Sequence, residues 1–168
     1  MNQKLEIRIT RTQKKRVYKT PAIKGEIIIN DFREWFYIPV KDWQLADYVK
    51  QWEEGLARIS TENTSCLITG LLQSKRKYLQ WWILYKIDNE IKIQNEVFSK
   101  SFFKETFKDV HITHSNCYDF IPKYSQFTES GYKVSEWKLI LPADLLYETR
   151  FFKDGAPFLR KRKSQWAL

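Results

Sequence analysis

His111, His114 and Cys117 stand three residues apart, a spacing that places two imidazoles and a thiol on one face of a turn, and these are groups that zinc takes as ligands. A zinc site needs four ligands in a recognised frame. The sequence holds no other histidine and one other cysteine, Cys66, so the segment reads as a surface loop and no metal is expected. Two Glu-x-Lys triplets, Glu90-Ile91-Lys92 and Glu136-Trp137-Lys138, place a carboxylate and an ammonium on one strand face, as metal-dependent nucleases do. Among 29 Lys/Arg and 20 Asp/Glu, about one such triplet arises by chance, and exposed sheet charges explain the pattern equally well. With five glycines there is no Gly-rich phosphate loop, and no Gly-x-Ser-x-Gly elbow. Nothing pairs a nucleophile with a base, so no catalytic residue and no cofactor are expected.

Charge and aromatic area point instead to binding. Of the 168 residues, 27 are Phe, Trp or Tyr, more aromatic area than a generic domain carries, so that some of it is expected to serve contact. The net charge of +9 is uneven. Residues 1–24 hold eight Lys/Arg against Glu6 alone, residues 150–168 hold six against Asp154, and residues 25–149 hold fifteen basic and eighteen acidic residues. The chain therefore reads as one domain: a basic N-terminal strand or arm, a mildly acidic body, and a basic C-terminal tail. Rings interleave with the basic ends, as in Arg150-Phe151-Phe152-Lys153 and in Arg160 to Lys163 with Trp166. Three readings fit them: phosphate binding with bases stacked on the rings, solvated tails, or steering toward an acidic patch on a protein.

No membrane span is expected, because the longest uncharged run, Asn63 to Ser74, has 12 residues and is half polar. Lys4, Glu6 and Arg8 fall where a signal peptide needs apolar residues. A cytosolic protein with reduced thiols follows as the expectation.

The elements expected to carry these groups give an α+β domain, a mainly antiparallel sheet with one long amphipathic helix on it. Leu5, Ile7 and Ile9 alternate with Glu6, Arg8 and Thr10 as in a half-buried strand. Lys14-Lys15-Arg16 falls in a turn or at a strand end. Two strands, Glu26 to Ile29 and Glu34 to Ile38, flank the turn residues Asn30-Asp31. From Trp43 to Ile59 the period changes: Leu45, Val49, Trp52, Leu56 and Ile59 lie on one helical face, with Asp42 as the expected N-cap. Ser65 to Leu72, Leu79 to Ile87 and Glu90 to Phe98 read as a meander, with a tight turn at Asp88-Asn89. In the middle strand Trp81 and Trp82 point to opposite faces, so either both faces are covered or one indole meets a partner. Residues 99–130 read as a long connection with a helical turn. A strand, Tyr132 to Leu141, and a short C-terminal helix, Ala143 to Phe152, complete the expectation.

Several blocks, in order, carry a family likeness. Gly25 to Phe36 with Asp31, Phe32, Glu34 and Trp35 leads to Asp42-Trp43 and Asp47-Tyr48-Val49-Lys50-Gln51-Trp52, followed by Leu56 and Ile59. Ser65-Cys66-Leu67-Ile68-Thr69, Trp81 to Tyr85, Ile93-Gln94-Asn95 and Val134 to Trp137 continue the pattern. Together they resemble the immunity proteins of contact-dependent growth inhibition systems, over roughly residues 25–141. The resemblance implies a cytosolic protein that binds the toxic C-terminal domain of a cognate toxin, commonly a nuclease, and blocks its active site without catalysis of its own. Trp43, Tyr48, Trp52 and Trp137 are then expected as fold determinants. A basic nuclease would meet acidic residues of the body, Glu53, Glu54, Asp88, Glu90 or Glu129; alternatively basic residues such as Arg160 and Arg162 reach an acidic toxin surface. A nucleic-acid-binding module is the runner-up.

Overall fold

The computed structural model describes residues 3–17, 19–153 and 156–164. Strand β1 (Lys4–Val17) runs at the centre of a five-stranded sheet, because its apolar face, Leu5, Ile7 and Ile9, is buried and its neighbours pair on both sides. β2 (Thr20–Ile29) pairs antiparallel with β1, and β3 (Phe32–Pro39) antiparallel with β2. The turn joining β2 and β3 holds Asn30 at φ 52°, a left-handed conformation that asparagine tolerates. Its side chain ties down the start of β1, accepting from the Lys4 amide at 3.0 Å and donating to Gln3 Oε1 at 3.1 Å.

The second sheet has the order β4-β5-β6-β7 and is antiparallel throughout. Its strands are β4 (Thr64–Leu72), β5 (Tyr78–Ile87), β6 (Glu90–Phe98) and β7 (Glu136–Ile140). The β5–β6 turn falls at the expected Asp88-Asn89, with Asp88 at φ 54°. Both faces of this sheet are covered, which decides between the two readings of the tryptophan pair. Trp82 meets Trp137 (ring centroids 5.3 Å apart) and Phe32 of the first sheet (6.3 Å). Trp81 faces the other way, edge-on to Phe98 and to Phe107 of helix α2 (Lys100–Phe107). The remainder of the 99–130 connection lies over the same face: Cys117–Phe120 forms a 3₁₀ turn, and the Tyr85 hydroxyl donates to the Pro122 carbonyl at 3.0 Å.

Helix α1 (Leu45–Thr61) starts two residues later than the periodicity suggests. Gln44, not Asp42, takes the N-cap position, and its amide donates to the Asp47 carboxylate at 2.8 Å. Asp42 serves another loop: its carboxylate accepts from the Gln73 amide at 2.7 Å, at the end of β4. Trp43 accordingly precedes the helix, buried edge-on against Tyr48 at 5.1 Å.

What α1 covers is the open edge of β4. An edge strand leaves every second amide and carbonyl unpaired, and side chains of α1 take them up. Gln51 Nε2 donates to the Cys66 carbonyl (2.7 Å) and Gln51 Oε1 accepts from the Ile68 amide (2.8 Å). Trp52 Nε1 donates to the Ile68 carbonyl (2.7 Å), and the Tyr48 hydroxyl accepts from the Leu71 amide (3.1 Å) while donating to the Pro39 carbonyl (2.9 Å). All three side chains are fully buried.

The C-terminal segment corrects two expectations. The short helix expected at Ala143 to Phe152 is strand β8 (Asp144–Lys153), which pairs parallel with β1 from Lys4↔Asp144 to Arg8↔Glu148. Pairing with the strand at the centre of the sheet overrides the helix-forming tendency of Ala-Asp-Leu-Leu. Within the segment read as a solvated tail, Ala156–Ser164 forms β9, antiparallel to β8 at the sheet edge.

Candidate partner-binding surfaces

The groups that suggested chemistry are spent on structure. His114 Nδ1 lies 3.2 Å from Glu54 on α1, His111 is exposed, and Cys117 is buried with its Sγ 3.8 Å from that of Cys66. Among the described residues, no group of three His, Cys, Asp or Glu side chains is arranged to hold a metal. Burial pushes the Cys66 thiol well above its ordinary value, with the hydrogen bond to Cys117 adding to the shift; such a thiol stays protonated and is a poor nucleophile. The two Glu-x-Lys triplets meet across strands, since Lys92 pairs with Lys138. Glu90 contacts Lys92 at 2.7 Å and Lys138 at 3.4 Å, and the hydrogen bond from Lys92 is the first cause holding its carboxyl below the usual range. Glu136 accepts from Gln94 at 2.8 Å.

A second ion-paired group lies on the outer face of the first sheet. Glu26, fully buried, receives Arg8 through two nitrogens at 2.7 and 2.5 Å and Arg33 at 3.5 Å. Both Arg8 nitrogens meet the same carboxylate oxygen, and the pairing offsets the cost of burying Glu26 and ties β1 to β2 at the Arg8↔Glu26 register.

Glu96 on β6 is less well served. Its carboxylate accepts from Trp81 Nε1 at 3.2 Å, yet desolvation raises its pKa. A carboxyl whose folded pKa lies above its unfolded value of about 4.3 costs stability as pH rises through the interval between the two, and the deficit then stays. Glu96→Gln keeps an oxygen for Trp81 and removes the charge. The variant is expected to melt above the parent at pH 7, with the gain gone near pH 4; thermal melts across that range check it, and an equal gain at both ends would exclude the charge as its cause.

The expected contact residues fall on separate elements. Glu53 and Glu54 lie on the outward side of α1, the former exposed and the latter beside His114. Asp88, exposed, and Glu90 share the β5–β6 hairpin end, while Glu129 is exposed in the loop before β7. Arg160 and Arg162 sit on β9 opposite Thr149 and Tyr147; their side chains lie outside the described residues. Of the expected fold determinants, Trp43, Tyr48 and Trp52 are buried, and Trp137 is half-buried with its ring 4.4 Å from Phe32. An exposed ring stands at Trp35, 51% accessible, with Lys24 Nζ 4.0 Å from its centroid.

A feature not singled out from the sequence emerges at the far end of the second sheet. The β4–β5 loop carries Lys75, Arg76 and Lys77, and around it gather Lys19, Lys41 and the α2 lysines Lys100, Lys104 and Lys108. Clefts of about 400 and 580 Å³ open between them, sharing Lys77 as a common wall. The signal was available in part, as a Lys-Arg-Lys run and as lysines four apart, but only folding brings residues 19, 41, 75 and 100 to one place.

Among the described residues, no helix is long and apolar enough to cross a membrane. Comparison with known proteins places this architecture. The chain is 28% identical over 123 residues to immunity protein CdiI of Enterobacter cloacae subsp. cloacae, an overlap covering 67% of this chain and 75% of the relative. Its fold superposes on a chain of a solved CdiA-CT/CdiI toxin and immunity complex from Enterobacter cloacae with a TM-score of 0.67 at 25% identity, covering 80% of this chain and 89% of the other. Residues 38–143, which run from the end of β3 through α1 and the whole second sheet to the start of β8, match the CdiI N-terminal domain, and the chain belongs to that family.

Proposed function

We propose that this chain is an immunity protein that binds the C-terminal toxin domain of a cognate contact-dependent growth inhibition toxin in the cytoplasm and neutralises it stoichiometrically. The toxin domain is a nuclease, and the immunity protein excludes the substrate from its active site without catalysis of its own. The observation that carries this reading is the fold likeness to a chain solved within a toxin and immunity complex, over 80% of this chain and 89% of the other. The side-chain chemistry is in keeping with it. Glu26 and Glu90 are held in ion pairs and the Cys66 thiol is kept protonated by burial, which suits a rigid docking body, and such bodies bind with little ordering cost.

The test is co-expression with the toxin domain encoded beside this chain. Cells making the toxin domain alone should stop growing and degrade RNA or DNA, and cells making both should grow and yield a one-to-one complex. Purified chain should block cleavage in proportion to its concentration and in competition with substrate. Growth arrest in the presence of the chain, or a complex in which cleavage continues, would overturn the proposal.

A further inference from the structure

The basic end of the second sheet is built at a cost to the fold. Helix α2 begins with Lys100 in its first turn and has no acidic residue there, although a cation near a helix N-terminus opposes the helix dipole. Lys104 lies in the last turn, where a cation suits the dipole, but it stands four residues from Lys100 and both are exposed, so the two like charges repel. Lys108 caps the helix at φ 46°, a conformation that asparagine or glycine adopts more cheaply. The β4–β5 loop adds Lys75 and Arg76, both exposed, and Lys77, which donates to the Gln73 carbonyl and lies 5.7 Å from the Phe103 ring. Few acids offset them. Asp42 is engaged with the Gln73 amide, leaving Asp109 at the rim of one cleft and Glu105 on α2.

From this we infer that the basic end, formed by the β4–β5 loop and the lysine face of α2, is where the toxin seats, and that it receives an acidic surface of the toxin domain. The inference rests on the immunity reading above and adds the face and the sign of its charge. The smaller cleft has the buried Leu72 in its lining, so that carboxylate side chains entering it meet ammonium groups beside apolar surface, while the larger one is lined mainly by polar groups, Lys77, Lys104 and Lys108 among them. Protein is favoured over single-stranded nucleic acid because the exposed aromatic rings Trp35, Phe127 and Tyr132 lie outside these clefts and Tyr78, which lines one, is half-buried; sites for single strands pair a basic groove with exposed rings on which bases stack. The Asp88 and Glu90 hairpin lies at the opposite end of β5, ten residues away, or roughly 30 Å at about 3.3 Å per residue. A contact of ordinary size, about 800 Å² on each partner, cannot be centred on both.

The experiment compares the unmodified chain with the triple variant Lys75→Glu/Lys100→Glu/Lys104→Glu and with Asp88→Lys/Glu90→Lys, by calorimetric titration into the refolded toxin domain at several salt concentrations. The triple variant should bind at least about 100-fold more weakly, with a much flatter salt dependence, and the double variant within about threefold of the parent. Lys100→Glu gains at the α2 N-terminus what Lys104→Glu loses in its last turn, so the triple variant should melt close to the parent; the neutral version with three glutamines should show an intermediate loss of affinity. Triple-variant affinity within threefold of the parent would overturn the inference while leaving the immunity reading intact. So would a variant that loses affinity for a 20-nucleotide RNA but keeps the toxin. If the unmodified chain forms no complex, the immunity reading itself falls, which is a separate result.

Discussion

Gln51→Leu is expected to destabilise the protein by about 3 kcal/mol, because it strips two partners from one buried strand edge. Leucine preserves most of the volume, so the loss isolates the hydrogen bonds to the Cys66 carbonyl and from the Ile68 amide. Neither backbone group has another route to solvent, since Cys66 and Ile68 are fully buried. Each orphaned group costs about 1–3 kcal/mol, and in a protein of this size the sum lowers the melting temperature by about 10 °C. Urea denaturation should show the shift with an unchanged slope, and native-state exchange should show the Ile68 amide opening first. A loss below about 1 kcal/mol would mean that the edge of β4 is not held by this side chain.

That edge also shows where sequence reasoning stopped. The stripe of Trp52, Leu56 and Ile59 announced a helix with one apolar face, and α1 has it. Gln51 lies beside that stripe and has no apolar side chain to announce its burial, which depends on meeting a strand whose edge has spare donors and acceptors, and no local pattern contains that. Gly55 is similar. Glycine is a weak helix former, yet here an added Cβ would stand 2.4 Å from the Cys66 carbonyl oxygen, so the glycine is what allows helix and strand to approach. The hairpins were legible because turn residues and alternation are local: Asn30 and Asp88 both adopt the left-handed conformation their turns require. β8 was not, because its partner lies about 140 residues away in sequence and its composition favours helix. Charge was legible as a total and along the chain, but not as a surface. Basic residues near the chain ends drew attention to Arg160 and Arg162, while the basic end of the second sheet is assembled from four separated stretches of chain.

Trp52→Ala should be the most damaging single change in α1. The indole is fully buried, packs edge-on against Phe36 at 6.2 Å, and donates to the Ile68 carbonyl at 2.7 Å. Truncation opens a cavity between helix, β4 and the first sheet and orphans a carbonyl, for a loss of about 3–5 kcal/mol. Trp52→Phe, which fills much of the space but still lacks the donor, should lose about 1–3 kcal/mol, so the difference between the two variants separates packing from hydrogen bonding. Single domains carry about 5–15 kcal/mol in total, and the alanine variant would be near the point where unfolded chain accumulates. Toxin binding then becomes a measurable counterweight. A partner that binds only the folded form adds about 2.7 kcal/mol when present at 100 times its dissociation constant, so the melting temperature of Trp52→Ala should recover in part as toxin domain is added, without any change at the docking face. Failure of the toxin domain to raise it would show that Trp52 shapes the binding surface as well as the core.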